Sequence, residues 1–333
     1  MPTKITNKHN IEVAPAVWLL EDFYDYNDDP HAVSATGLLK PIRPVVLAAQ
    51  TVGDPDYTMD IVDMIGSRVG SALHDSLEDA WKDFDRVKTG LTKLGIKEQI
   101  IKRIRINPGP LDLKTIANII PVYIENRTSK KIGKWTVSGK YDLVFDGEVQ
   151  DYKSGSVWGY IFDSNSADYI MQGSIYRWLN PEKITHDTVT IHYIFTDWSK
   201  QKALQDKKYP QTRILSKRYK LKPLDWTEQW IRNKLDQIEM YIDKPQEQLP
   251  LCTPEELWQK DSVWKYYKNP ANKARATKNF TSESEAHEYF DNVGRVGELI
   301  NVPGEVKRCH YCSSVEICTQ AKNFIKTGLL KFD

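Results

Sequence analysis

The sequence predicts an α/β protein with a mixed central sheet flanked by helices, and three observations predict it. Apolar residues recur at threes and fours in an early stretch, β-rich runs dominate the middle, and further helical spacing separates those runs. At 333 residues the chain is long enough for one large domain or two modest ones, each with its own core.

Residues 1–56 read as a lead-in with a short helix after Ser34. From Tyr57 to Phe84 the spacing is helical, and Val69, Leu73, Leu77, Ala80 and Phe84 mark its buried face. Gly66 and Gly70 would let this helix approach another backbone closely. A second helical segment spans residues 97–104. The run PVYIE at 121–125 is a short strand, and WTVSGKYDLVF (135–145) and EVQDYKS (148–154) are strands flanking Asp146-Gly147.

A helix over 166–179 and a strand over 188–195 follow. The alternating run at 213–222 places Arg218, Lys220 and Lys222 on one face of a strand. Asp225, with Glu228 three positions on, reads as a capping box for a helix carrying Trp226, Trp230, Leu235, Ile238 and Ile242. The core therefore runs over 57–243, and residues 244–333 form a C-terminal segment holding all four cysteines.

Composition is that of an ordinary soluble chain, 40% hydrophobic and 27% charged, with a formal net charge of +1. No apolar run approaches the ~20 residues needed to cross a bilayer, and the N-terminus lacks the apolar core of a secretory signal. A cytoplasmic location is expected. The small net charge argues against coating of nucleic acid, but a local patch exists: Ser199–Lys222 contains nine Lys or Arg and one acid.

Asp-Gly between β-rich runs signals a two-residue type I′ hairpin, because both residues tolerate positive φ. Pairing Phe145 with Glu148 then sets Asp142 opposite Asp151 and Lys140 opposite Lys153, all on one face. Carboxylates facing each other at about 5 Å repel unless a cation or a proton intervenes. A hard cation suits such oxygens, and Lys153 beside it can stabilise phosphate charge. The alternative is a solvated ladder of Asp and Lys on a surface hairpin.

The string GKYDLVFDGEVQDYKSGS resembles the core of the PD-(D/E)XK nuclease superfamily, in its RecB-like branch. Asp142 matches the first acidic position, and Asp151-Tyr152-Lys153 matches the (D/E)-x-K signature. GSRVGSALHDSLEDAW is similar to the branch's helix with a Gly-x-x-x-His element, ending at His74. MQGSIYRW is similar to its Gln-x-x-x-Tyr element, at Gln172 and Tyr176, and Glu125 matches an acidic position on the strand before the hairpin. SATGLLKPIRPVVLAAQ and CTPEELW are similar to bacteriophage-encoded members.

The resemblance implies a restriction-endonuclease-like core and a DNA nuclease, in particular an exonuclease in phage recombination or DNA processing. Its catalytic residues would be Asp142, Asp151 and Lys153. Mg²⁺ or Mn²⁺ would be held by His74, Asp142, Asp151 and the Tyr152 carbonyl. Gln172, Tyr176, Arg218 and Lys220 would bind the DNA backbone, although a charged strand edge that deters aggregation explains Arg218 and Lys220 equally well. DNA is the implied partner, alongside recombination or replication proteins. The alternative function is a non-catalytic protein with the same fold that binds nucleic acid or a partner.

Cys309, Cys312 and Cys318 form C-x2-C-x5-C, with Cys252 upstream. In a cytosolic chain such clustering points to metal ligation ahead of disulfides. The pattern resembles that of iron–sulfur nucleases of the same branch, including CRISPR-associated spacer-acquisition nucleases, which implies a 4Fe–4S cluster that staples the chain. In those relatives the distant cysteine precedes the nuclease motifs, whereas Cys252 follows them. Structural zinc is the competing reading.

Overall fold

In a computed structural model, which describes residues 4–21, 29–51, 58–115 and 118–332, Asp146 and Gly147 adopt positive φ of 49° and 84°. This is the type I′ signature of the pair. Phe145 pairs with Glu148, Val144 with Val149 and Leu143 with Gln150. Beyond that pair the strands part.

By its internal contacts the chain divides into two units, one of residues 1–39 and 53–236, the other of residues 40–52 and 237–333. The first holds strands β1 (Lys4–Thr6), β2 (Ala32–Ser34), β3 (Thr58–Asp60), β4 (Ile104–Ile106), β5 (Ile120–Ile124), β6 (Arg127–Ile132), β7 (Trp135–Lys140), β8 (Leu143–Phe145), β9 (Glu148–Gly155), β10 (Thr188–Phe195) and β11 (Ile214–Lys220). Six of them form a mixed sheet in the order β11-β10-β9-β8-β5-β4. Within it β9 and β10 run parallel, as do β4 and β5, and the other neighbours are antiparallel. A three-stranded sheet, β2-β7-β6, and the pair β1-β3 stand apart from it.

The stretch 135–145, expected as one strand, is therefore two. Between them Tyr141 is fully buried, and Asp142 replaces a ladder partner with side-chain bonding: its Oδ2 accepts the Tyr152 N–H at 2.9 Å. Its carbonyl accepts the Glu125 N–H at 3.1 Å. The break sends β7 into the smaller sheet, so Lys140 pairs with Arg127 and does not lie opposite Lys153.

One face of the six-stranded sheet carries a cluster of Ile104, Ile120, Val122, Ile124 and Leu143, onto which Trp81, Phe84 and Leu91 pack. Each such aliphatic side chain contributes about 1.5–3 kcal/mol when fully buried. The other face takes the Ser166–Leu179 helix, whose Gly173 sits so close to Val189 and Leu221 that a Cβ would lie 3.1 Å and 2.9 Å from their side chains.

The early helix spans Ile65–Lys82, and Tyr57 lies outside the described residues. Its inward stripe is the expected one only in part, with Leu73, Leu77 and Phe84 turned inward. Val69 and Ala80 are exposed, while Leu73, His74, Leu77, Glu78 and Trp81 are half-buried. Gly66 and Gly70 face open space, so no close backbone approach explains them. The 97–104 segment is a single helical turn, Glu98–Ile101, followed by β4. The helix expected to begin at Asp225 begins at Leu224, with the Pro223 carbonyl accepting the Thr227 N–H at 2.9 Å. Glu228, expected to close a capping box, instead accepts from Trp178 Nε1 at 3.0 Å and pairs with Arg232.

The second unit contains the Ile42–Gln50 helix and an antiparallel sheet, β13-β12-β14, built from β12 (Val263–Tyr267), β13 (Lys278–Phe280) and β14 (Glu298–Val302). Tyr266, Phe280 and Ala286 of the Glu283–Asn292 helix form its core. No described helix is long and apolar enough to cross a membrane.

Candidate functional site

Three elements converge where β7 gives way to β8. The Ile65–Lys82 helix turns His74 inward, the strand break presents Asp142, and Glu125 follows β5. Glu125 holds a φ of 45°, a conformation that costs a non-glycine residue about 1 kcal/mol or more. Its N–H bond to the Asp142 carbonyl keeps it there.

His74 Nδ1 stands 3.1 Å from Asp142 Oδ1. One ligand atom each from His74, Glu125 and Asp142 lies within 4.8 Å of the other two, the one such trio among the described residues. The trio lines a small cleft with Glu78, Trp81 and Tyr152. Hydrogen bonding to the Asp142 carboxylate raises the His74 pKa above the usual histidine value, against the opposing effect of burial.

Asp151 does not ladder against Asp142 as expected, because the hairpin register ends one pair earlier. It is buried, 3% exposed, and lies outside the trio. Lys153 Nζ sits 2.6 Å from its Oδ2. Burial, with the Asp142 charge and against the pull of the Lys153 ammonium, leaves the Asp151 carboxyl pushed up to about 6. Burial also disfavours the Lys153 ammonium, but Asp151 and Asp142 outweigh it and hold its pKa above the ordinary lysine value. Lys153 is a cation here.

The donor set fits a hard divalent cation: two carboxylates and an imidazole in reach of one another. The Lys140 ammonium stands beside Glu125 Oε2 as an ion pair. Two of these residues show how far pattern reading reaches. Glu125 was visible only through its place before the hairpin. Glu78 was missed, though it follows His74 by one helical turn and shares its face.

The residues expected to touch DNA divide. Gln172 and Tyr176 share a helix face as their spacing requires, but that face points inward. Both are buried, and Gln172 Nε2 donates to the Tyr176 hydroxyl at 2.8 Å. As placed, they are a packing pair without a surface for a phosphate. Arg218 lies on edge strand β11, yet its guanidinium is committed to Glu148, with Nε and Nη2 at 2.8 and 3.0 Å from the two carboxylate oxygens. Lys220 is 81% exposed, with Asp187 at 3.8 Å.

In the second unit Cys252, Cys309, Cys312 and Cys318 form no disulfide. Burial pushes the Cys252 and Cys309 thiols up to about 12 and about 11, and each of the other sulfurs adds to the effect at Cys252. Arg43, 2% exposed, donates from Nε to Cys318 Sγ at 3.3 Å. Its Nη1 reaches the Gln246 and Leu249 carbonyls and its Nη2 the Thr319 hydroxyl. A buried guanidinium beside Cys318 would suit a thiolate there, because a buried cation needs a compensating charge.

No protein-family model and no curated protein matches the sequence. Among solved structures the chain is similar to SSO0001, at 18% identity and a TM-score of 0.37, over 69% of this chain and 84% of that one. It is also similar to an alkaline exonuclease, LHK-Exo, from Laribacter hongkongensis, at 11% identity and a TM-score of 0.26, over 37% of this chain and 60% of that one. A phage-related exonuclease from Haemophilus somnus 129PT is similar at 13% identity and a TM-score of 0.29, over 64% of this chain and 94% of that one. At these TM-scores the likenesses carry no argument for a shared activity, which has to rest on the chemistry of the side chains.

Proposed function

We propose that the chain is a divalent-metal-dependent nuclease that hydrolyses DNA phosphodiester bonds, acting as an exonuclease in phage DNA recombination or processing. One observation carries this: the trio His74, Glu125 and Asp142 stands beside a buried Asp151–Lys153 pair. His74, Glu125 and Asp142 would hold Mg²⁺ or Mn²⁺, with Asp151 and the Tyr152 carbonyl as further ligands. When bound, such a cation supplies a Lewis acid that stabilises charge on a phosphoryl group.

The side chains do the rest. Lys153, held protonated, presents positive charge to the phosphate, and such preorganised charge counts for more in a site shielded from water. Asp151 fixes where that ammonium lies. Lys220 is available to a phosphate on the DNA backbone, a contact that carries little sequence preference. The four cysteines would hold a 4Fe–4S cluster in a structural role. A single structural zinc is the alternative occupant.

The test is cleavage of labelled single-stranded and duplex DNA with Mg²⁺ or Mn²⁺, with EDTA as the stop. Asp151→Asn and Lys153→Ala should each abolish cleavage in folded protein. Full activity in either variant, or cleavage indifferent to EDTA, refutes the assignment.

A further inference from the structure

Directly after β9, which carries Lys153, the chain makes the short Val157–Ile161 helix and places two large aromatics in solvent. Trp158 is 50% exposed and Phe162 71% exposed, and their rings stack with centroids 5.9 Å apart at 21°. The mount beneath them is firm. Val157 is fully buried, and its N–H donates to Asp197 Oδ1 at 2.8 Å. Tyr160 packs edge-on against Tyr193 and Phe195, and its carbonyl accepts from Lys217.

The neighbouring segment supplies charge. The ends of β9 and β10 lie side by side, Gly155 opposite Phe195, so the chain leaving β10 borders this helix. It carries Lys200, Lys202, Lys207, Lys208 and Arg213, all exposed. None of Lys200, Lys207 and Lys208 is ion-paired to a described residue. This segment is folded too: Trp198 Nε1 donates to the Pro210 carbonyl, and Arg213 lies over the Trp198 ring.

We propose that Trp158 and Phe162 are a stacking platform for the bases of a single-stranded nucleic-acid end, with the lysines of residues 200–208 holding its phosphates. That this end leads to the Lys153 site rests on the nuclease reading. Flat rings stack on any base whose face is free, and in a duplex those faces are covered. An apolar patch with unpaired cations on the neighbouring segment suits this polyanion better than an apolar protein surface. Trp158 lies five residues beyond Lys153, at most about 18 Å of extended chain. A strand on the platform is thus within a few nucleotides of the site.

The test is fluorescence anisotropy in EDTA with a labelled oligo-dT of about 20 nucleotides and a duplex of equal length. Trp158→Ala and Phe162→Ala should each weaken single-strand binding about tenfold. Duplex binding should stay within about twofold and the salt slope should not change, because the rings carry no charge. Lys207→Ala with Lys208→Ala should lower the slope instead. Trp158→Phe should retain binding, and melting curves check that each variant is folded. Unchanged single-strand affinity in the double aromatic variant overturns the platform. So does an equal loss on both probes, or a wild-type dimer that Trp158→Ala makes monomeric. A wild type that holds the single strand through these rings yet cuts nothing with Mg²⁺ or Mn²⁺ overturns the nuclease reading alone. A double variant that cuts and binds like wild type overturns the platform alone.

Discussion

His74 Nδ1 lies 3.1 Å from Asp142 Oδ1, joining the inward stripe of a helix to the break between two strands. A proton on His74 and a cation in the trio compete for the same carboxylate. Removing either residue leaves too few donors for a hard ion. His74→Ala and Asp142→Asn should each weaken Mn²⁺ binding by more than the ~10–100-fold typical of losing a supporting residue. Calorimetry with Mn²⁺ measures it, and wild-type affinity in both variants would remove the trio as a metal site.

Lys153 and Asp151 should respond differently to being parted. Lys153→Met leaves a buried carboxylate without its cation, which costs on the order of 3 kcal/mol. Asp151→Asn in the same chain removes that charge and should restore part of the loss. Urea denaturation of the two single variants and the double gives the coupling. Additive losses would mean that the 2.6 Å pair contributes nothing between its partners.

How much of this was legible in the sequence depends on where the signal lay. The hairpin was legible because Asp-Gly imposes its own backbone geometry, and the Ser166–Leu179 and Thr188–Phe195 bounds followed from periodicity. The break at Tyr141-Asp142 was not, because both flanks are β-rich. The strand is ended by a side-chain acceptor, Asp142 Oδ2, and not by a glycine or proline. The inward stripe of the Ile65–Lys82 helix was misplaced in part for a related reason: His74 and Glu78 occupy positions that a hydrophobic pattern reserves for apolar residues. The C-terminal sheet was missed because VWKYY is followed by a long polar loop, and only tertiary pairing with β14 fixes it.

Gly173 should not tolerate a methyl group. A Cβ there would meet Leu221 Cδ2 at 2.9 Å and Val189 Cβ at 3.1 Å, between a helix and the sheet it covers. Gly173→Ala gains about 1 kcal/mol of helix propensity but overpacks the contact by about 1–3 kcal/mol. The net should be destabilising, read as a lower melting temperature. A raised one would show that the helix stands off the sheet.

Asp60 ties β1 to β3, and the tie should fail in acid. Its Oδ2 accepts the Lys8 N–H and the Thr6 hydroxyl, both at 2.8 Å, and its Oδ1 accepts the Val62 N–H. These donors, the Lys8 N–H foremost, hold its pKa below the usual aspartate value despite its burial. A carboxylate with a depressed folded-state pKa adds stability that is complete above its unfolded pKa. That stability drains away as the pH falls through the folded one. Asp60→Asn should therefore lower stability at neutral pH by on the order of 1 kcal/mol. The gap between variant and wild type should then close below pH ~3. Urea midpoints from pH 7 to 2 check the sign. A gap that widens on acidification would mean that the carboxylate is not the element holding this strand.

Arg43 offers the sharpest test of the proposed cysteine centre. Its guanidinium is buried beside Cys318 Sγ, and its other donors go to the Gln246 and Leu249 carbonyls and the Thr319 hydroxyl, so these partners among the described residues carry no negative charge. Protonated thiols do not supply that charge; metal-bound thiolates do. Anaerobically purified wild type should therefore carry iron and sulfide and absorb broadly in the visible. Arg43→Met should lose most of that absorption, since the thiolates would lose their cation. Arg43→Lys keeps the charge but not the planar fork, so it should retain metal while losing stability to the abandoned carbonyls. Arg43→Met protein with the full metal content of wild type would show that the arginine only braces the loop. A colourless wild type holding one zinc would replace the cluster with a single ion. Wild type without metal would leave the four thiols as packing.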